Sequence, residues 1–166
     1  MVMEKEKILQ ELKKQFDLTK KRLGFKSTFG EINSFAYIED MALSENFVSN
    51  QFSRQMINRM IDSPNGWLGE LYSWIYPGQM DIIHLNENKQ ISKEERQEIL
   101  DMIDRIMYLV RKNKRIAFDG LKPEEEGAFV DEIIIFRKEY FNPFMLKYHK
   151  KFEKLWKDEI TKGGIE

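Results

Sequence analysis

Helix-start signals, separated by long stretches of helical periodicity, are the feature that most constrains the fold of this chain. Thr28-x-x-Glu31 and Ser92-x-x-Glu95 have the spacing of capping boxes, in which two side chains bond the first free N–H groups of a helix. Pro123 stands directly before three glutamates, a sequence typical of a first helical turn. Between these signals, apolar residues recur every three or four positions. The pattern predicts an all-α protein.

The apolar period predicts four main helices, or up to six when interruptions are counted. Their predicted ranges are 3–23, 29–61, 92–113 and a fourth helix from 123 onward. Gly24 is a plausible C-cap of the first helix. The second is predicted as one long helix, although Ser44-Glu45-Asn46 leaves a break open. We expect these helices to form an up-and-down antiparallel bundle in a single domain over residues 1–166.

Asn142-Pro143 interrupts the fourth helix, since proline inside a helix loses a hydrogen bond and clashes with the preceding turn. Either the helix is kinked, or a new helix begins with Asn142 as N-cap. The apolar stripe keeps its phase across the proline, which favours a kink or a very tight break. The residues predicted to be buried on facing helices are Phe52, Ile103, Phe136, Tyr140 and Phe144.

The connection between the second and third helices is the least regular part of the chain. Residues 67–76 read as a short amphipathic helix that ends at Pro77-Gly78. Residues 79–91 have no clean period, so a short strand, a helical turn and a buried loop all stay open.

Composition excludes several classes of protein. The chain has 166 residues and no cysteine, which removes disulfides, cysteine-ligated metals and thiol catalysis. Residues 1–14 are charged throughout, so they do not resemble a signal peptide. No apolar stretch approaches the ~20 residues that a membrane span needs. We therefore expect a cytoplasmic protein with no membrane partner.

The motifs of the common enzyme classes are absent from the sequence. It has no glycine-rich phosphate loop and no GxSxG elbow. Asp81-x-x-His84 is a weak candidate for half of a metal site, but the chain has only two histidines and a di-iron bundle needs more ligands. We predict no metal and no cofactor, assign no catalytic residue, and expect no enzymatic activity.

Basic clusters make a nucleic-acid-associated helical subunit one alternative. The candidate residues are Arg111, Lys112, Lys114, Arg115, Lys147, Lys150 and Lys151. The balance of 27 basic and 28 acidic residues argues against a dedicated nucleic-acid binder, which is usually strongly basic. A second alternative is an enzyme or ligand carrier that uses carboxylates inside the bundle.

Aromatic residues support the favoured interpretation, a non-catalytic interaction or assembly module that forms a homodimer. Aromatic residues make up 13% of the chain, more than a minimal core requires. The interface candidates are Trp67, Tyr72, Trp74, Tyr76 and Phe118. The helical period places Trp67 and Tyr72 toward the core and Trp74 off that face, so Trp74 is predicted at or near the dimer contact.

Overall fold

The computed structural model of the protein describes the backbone of residues 2–163 and the side chains from Glu4 onward. Helix makes up 82% of the chain, and no strand occurs between residues 2 and 163, which confirms the all-α class. The helices are α1 (Val2–Leu23), α2 (Phe29–Ala36), α3 (Ile38–Glu45), α4 (Phe52–Asn65), α5 (Leu68–Ile75), α6 (Ile82–Asn88), α7 (Lys93–Phe118), α8 (Pro123–Ile135), a π-helix (Phe136–Phe141) and α9 (Asn142–Gly163). The up-and-down arrangement of four main helices stays a prediction.

Contacts between residues divide the chain into two units, each built from two separate stretches. Unit 1 comprises Met1–Gly66 with Ile106–Ile135, and unit 2 comprises Trp67–Arg105 with Phe136–Glu166. Helix α7 contributes its first half to unit 2 and its second half to unit 1. The single domain expected from the sequence stays a prediction.

The local hydrogen bonds that the sequence signals imply are present. Glu31 N–H donates to Thr28 Oγ1 at 3.2 Å, and Thr28 N–H donates to Glu31 Oε2 at 2.8 Å, so the first capping box is complete. Ser92 and Glu95 make the same reciprocal pair at the start of α7. Helix α8 begins at Pro123, and α1 ends before Gly24, which has a φ of +76°. These helix boundaries were predictable because each depends on residues three or four apart.

The second predicted helix is three helices in the structure, so the favoured single long element was wrong. Helix α2 ends where Tyr37 takes a left-handed φ of +50°. The Asn33 side chain accepts a hydrogen bond from Glu39 N–H at 2.9 Å, which satisfies the start of α3. The break left open at 44–46 does occur, with Asn46 left-handed after α3. Helix α4 then continues past the predicted stop to Asn65, with Pro64 in its last turn.

Helices α1, α2, α4 and α8 enclose the core of unit 1. Helix α1 packs against α3, α4 and α8, and α2 packs against α4. The buried residues of this core include Leu12, Phe16, Ile32, Phe52, Met56, Met60, Phe129 and Ile133. Gly127 of α8 lies against the end of α1, where an added Cβ would sit 1.9 Å from the carbonyl oxygen of Leu23.

A π-helix that ends directly before Asn142-Pro143 interrupts the last long helical stretch. Its wider turn directly precedes Asn142-Pro143, where the proline ring would clash with an α-helical carbonyl four residues earlier. The wider turn shifts the buried stripe by one residue. Phe141 is therefore buried in unit 2, while Tyr140 is 43% exposed. The prediction that Tyr140 is a core residue was wrong, whereas Phe136 and Phe144 are buried as predicted.

Residues 79–91 contain a helix rather than a strand or an irregular segment. Helix α6 spans Ile82–Asn88 and begins with Asp81 as its N-cap. Helix α7 is also longer than predicted, since it continues to Phe118 instead of ending near Asn113. The basic run at 111–115 is therefore part of a helix and does not follow one.

Candidate interaction surface

Trp74 is fully buried, so the prediction that it lies off the core face of α5 was wrong. Its ring centroid lies 5.0 Å from that of Phe152 and 5.6 Å from that of Tyr148, both on α9. Its indole N–H makes no hydrogen bond with any described residue. This packing turns α5 by about one residue from the predicted phase, because the largest aromatic side chain takes the core position. Trp74 cannot serve as an exposed interface anchor.

The same rotation places Tyr72 on the exposed side of α5, opposite to its predicted position. Tyr76, directly after α5, is exposed as well. The turn that follows and the start of α6 add three more exposed apolar side chains, and Met80 is 92% exposed. We call these five residues the apolar segment: Tyr72, Tyr76, Met80, Ile82 and Ile83. They lie within twelve consecutive positions of the chain, from 72 to 83.

Hydrogen bonds from two side chains hold the base of the apolar segment. The Asn88 side chain of α6 donates to the carbonyl oxygen of Trp74 at 2.7 Å. The Arg96 guanidinium of α7 donates to the carbonyl oxygen of Ile75 at 2.8 Å. These bonds satisfy carbonyl groups that the end of α5 leaves without a helical partner. The exposed side chains therefore lie on a connection between α5 and α6 that side-chain hydrogen bonds hold in place.

Two further interface candidates lie outside the apolar segment. Trp67 is half-buried beside the His149 ring, with 5.3 Å between their centroids. Phe118, the last residue of α7, is almost fully exposed and belongs to unit 1. Of the five predicted interface residues, Tyr72 and Tyr76 belong to the apolar segment. Sequence reasoning missed Met80, Ile82 and Ile83 because 79–91 had no assigned structure, although their apolar character was visible.

Asp81 and His84 are a helix cap in this structure. The Asp81 carboxylate accepts from His84 N–H at 3.1 Å and lies 2.5 Å from His84 Nδ1. The hydrogen bonds from the His84 backbone and ring lower the pKa of Asp81. Within residues 2–163, no three metal-binding side chains of His, Asp or Glu gather in one place. The three-residue spacing that suggested a metal pair has its physical cause in N-capping.

The side chains of the basic run at 111–115 differ in whether they have an acidic partner. Lys112 binds Glu132 at 2.6 Å, and although burial alone would lower the pKa of Lys112, hydrogen bonds to Glu132 and Tyr108 raise it. Arg115 forms an ion pair with Glu125. Arg111 and Lys114 form no ion pair with a described residue and line a groove of about 510 Å³ with Asp62. The run therefore offers two uncommitted cations instead of four.

The basic residues of α9 are in part committed within unit 2. Lys147 forms an ion pair with Glu98, and Lys151 binds Glu95 at 2.6 Å. Tyr148 donates to Glu98 at 2.9 Å, and burial together with this contact raises its pKa. Lys150 is exposed and forms no ion pair in the described part of the chain. Lys147 and Lys151 therefore have acidic partners within unit 2, whereas Lys150 has none among the described residues.

One carboxylate lies in the interior of unit 1, where the sequence indicated a solvated first turn. Glu126 is 1% exposed and binds the Arg54 guanidinium at 3.2 Å. Arg54 also donates to Asn113 at 2.7 Å, and Asn113 donates to Asn58 at 3.0 Å. A buried charge of this kind needs an opposite charge and hydrogen bonds. Nothing in the sequence distinguished Glu126 from the two glutamates before it.

No known protein family, curated protein or solved structure matches this chain. Among the described helices, none is both long and apolar enough to cross a membrane.

Proposed function

We propose that this protein is a non-catalytic assembly module that forms a homodimer through the apolar segment. The observation that carries the proposal is the run of five exposed apolar side chains between Tyr72 and Ile83. Exposed apolar surface of this kind is typical of interaction sites. A two-fold dimer covers such a surface with its own copy and is the commonest oligomer.

The charge of the segment supports a second copy as its partner. Between positions 71 and 83 the sequence has one charged residue, Asp81, whose carboxylate caps α6. A two-fold axis makes the patch face its own copy, so a patch rich in charges of one sign would repel itself. The five side chains each expose on the order of 100 Å². Together they would supply about 500 Å², more than half of the roughly 800 Å² per partner of a standard interface.

Sedimentation equilibrium at micromolar concentration tests the proposal. We expect a species of twice the 20.0 kDa chain mass for the wild-type protein. The double variant Met80→Glu/Ile83→Glu adds two negative charges to a patch that would face the same charges on its copy, so it should sediment as a monomer. Both side chains are exposed, so the substitutions should leave the helical circular dichroism spectrum unchanged.

Ile160→Glu is the matched control. Ile160 is also exposed and belongs to unit 2, but it lies on α9 and is not part of the apolar segment. The control variant should remain dimeric. A wild-type protein that is monomeric at every concentration, or a dimer that the double variant leaves intact, would contradict the proposal.

A further inference from the structure

The methionines of this chain differ sharply in their exposure to solvent. Among those whose side chains the structure describes, Met80 is 92% exposed and Met107 is partly buried. The others in that part of the chain are at most 7% exposed: Met41, Met56, Met60, Met102 and Met145. A thioether in contact with water is open to oxidants, whereas the packing around a buried one protects it. Met80 is therefore the described methionine at which oxidation should begin.

The backbone around Met80 holds its side chain outside the helices. The residue lies in the turn between α5 and α6, where Asp81 N–H donates to the carbonyl oxygen of Gly78 at 3.0 Å. Ile82 N–H donates to the carbonyl oxygen of Met80 at 3.2 Å, and Asp81 caps α6 through the backbone N–H of His84. These bonds fix the backbone on both sides of Met80 and leave its thioether in solvent.

Met80 also belongs to the apolar segment. Tyr72 and Tyr76 precede it, Ile82 and Ile83 follow it, and each of these side chains is exposed. The thioether of methionine is apolar and flexible, so it packs well against the side chains of a partner. The sulfoxide is polar, and burying its oxygen in an apolar contact without a hydrogen bond is costly. One added oxygen atom per chain therefore changes the chemistry of the contact surface.

We propose that Met80 is a redox-sensitive modification site, and that its oxidation to methionine sulfoxide by hydrogen peroxide separates the homodimer. This regulation rests on the dimer proposed above. The Met80 sulfur attacks one peroxide oxygen and the O–O bond breaks. The other oxygen leaves as water once the proton of the transferred oxygen has moved to it. The sulfur is oxidised by two electrons, and the peroxide is reduced by the same two.

The chemistry of the whole chain leaves this role to methionine. The chain has no cysteine, so thiol oxidation has no target in it. Methionine sulfoxide reductases return the sulfoxide to methionine, which makes the modification of Met80 reversible. The dimer covers Met80 and the sulfoxide disfavours the dimer, so the two states exclude each other. Peroxide therefore acts on the monomer, and association should protect Met80.

Peptide mapping by mass spectrometry after brief exposure to hydrogen peroxide tests the modification. Met80 should be oxidised at least about tenfold faster than Met56 or Met60, because both of those are fully buried. The rate at Met80 should fall as the protein concentration rises through the dimer dissociation constant. Oxidation of Met56 or Met60 as fast as Met80 would overturn the proposal. So would a rate at Met80 that does not depend on concentration in a protein that dimerises.

Sedimentation equilibrium of the oxidised protein tests the consequence. Oxidation should raise the dimer dissociation constant at least about tenfold, since each copy would bury one sulfoxide. Treatment with methionine sulfoxide reductase should restore the value of the untreated protein. Met80→Gln, which places a polar group on a side chain of similar length, should dimerise as weakly as the oxidised protein without any peroxide.

Met80→Leu removes the sulfur and keeps an apolar side chain of similar volume. This variant should dimerise like the wild type and stay dimeric after peroxide treatment. Met107→Leu is the matched control, since Met107 is partly buried and lies outside the apolar segment, and its dimer should remain as sensitive to peroxide as that of the wild type.

The outcomes separate this proposal from the dimer on which it rests. A wild-type dimer that stays intact although Met80 is oxidised would overturn the regulation and leave the proposed function standing. A Met80→Leu dimer that peroxide still separates would also overturn the regulation, because another methionine would be responsible. A wild-type protein that is monomeric before any oxidation would contradict the proposed function itself, and the regulation with it.

Discussion

At the scale of single residues, Gly127 is the described glycine with the least room for a side chain. An added Cβ would overlap the carbonyl oxygen of Leu23, and both groups belong to backbone that cannot rotate away. We expect Gly127→Ala to lower the free energy of unfolding by about 3 kcal/mol, because α1 and α8 must separate. Urea denaturation followed by circular dichroism measures the change.

Gly30→Ala is the control for this substitution. Gly30 lies in α2 of the same unit, and nothing within 4 Å would meet its new methyl group. Alanine there should stabilise the protein by about 0.5–1 kcal/mol, because glycine loses more backbone entropy on folding. A Gly127→Ala variant as stable as the wild type would contradict the close approach of α1 and α8.

Glu95 should make part of the stability depend on pH. Burial raises the pKa of Glu95, but hydrogen bonds from Lys151 and the Ser92 backbone lower it by more, so the pKa falls on folding. Such a carboxylate stabilises the folded state above its unfolded pKa of about 4.3, and this contribution is lost as the pH falls through the folded pKa. We expect Lys151→Gln to lower the free energy of unfolding at pH 7 by about 1 kcal/mol.

Urea titrations across a series of pH values measure this effect. The difference between Lys151→Gln and the wild type should shrink as the pH falls below the unfolded pKa of about 4.3 and through the lower folded pKa of Glu95. Lys150 is an exposed neighbour that forms no ion pair with a described residue. Lys150→Gln should therefore change neither the free energy of unfolding at pH 7 nor its dependence on pH. A difference that is independent of pH would show that Lys151 acts through packing alone.

At the scale of secondary-structure elements, the π-helix determines which aromatic side chains enter the core of unit 2. Phe141 is buried beside Phe136, with 5.8 Å between the ring centroids, while Tyr140 contacts the exposed Arg105 guanidinium. We expect Phe141→Ala to lower the free energy of unfolding by about 3–5 kcal/mol. Tyr140→Ala should cost about 1 kcal/mol or less, since it loses an exposed cation–π contact. Chemical denaturation of the two variants shows which of the two side chains is in the core. A larger loss of stability for Tyr140→Ala than for Phe141→Ala would contradict the π-helix and favour an uninterrupted α-helix.

At the scale of the whole molecule, the expected single domain leads to a prediction for unfolding. Helix α7 contributes residues to both units, and a helix gains its stability cooperatively along its length. We expect one calorimetric transition with equal calorimetric and van't Hoff enthalpies when both are calculated per dimer. The fluorescence of the three tryptophans, all in unit 2, and the helical circular dichroism of both units should follow the same transition. Two resolved transitions would show that the units unfold independently.

Much of the helical content was predictable because its signals are local. Thr28, Ser92 and Pro123 mark helix starts through bonds and backbone angles within three residues, and Gly24 marks an end in the same way. The helical class follows from these signals together with an apolar period that one helix turn defines. Such information lies entirely within short windows of sequence.

The candidate surface was predictable only in part, because burial depends on residues far away in the chain. Tyr76 was one of the interface candidates and is exposed, but the phase of α5 is set by the fit of Trp74 against Tyr148 and Phe152, more than 70 positions later. The period of a short helix allows either face to be buried. The competition between Trp74 and Tyr72 for the core is decided by packing.

The sequence by itself determined the helical class, the capped helix starts and the absence of cysteine chemistry, since these depend on residue type and local spacing. Only the tertiary structure decided that Lys112 pairs with Glu132 while Arg111 stays uncommitted, and that Glu126 is buried against Arg54. Residues of the same charge in one run differ in their contacts, because a helix distant in the chain supplies an opposite charge to one of them and not to its neighbours. That partner is chosen by the three-dimensional packing of the helices, which no local pattern encodes.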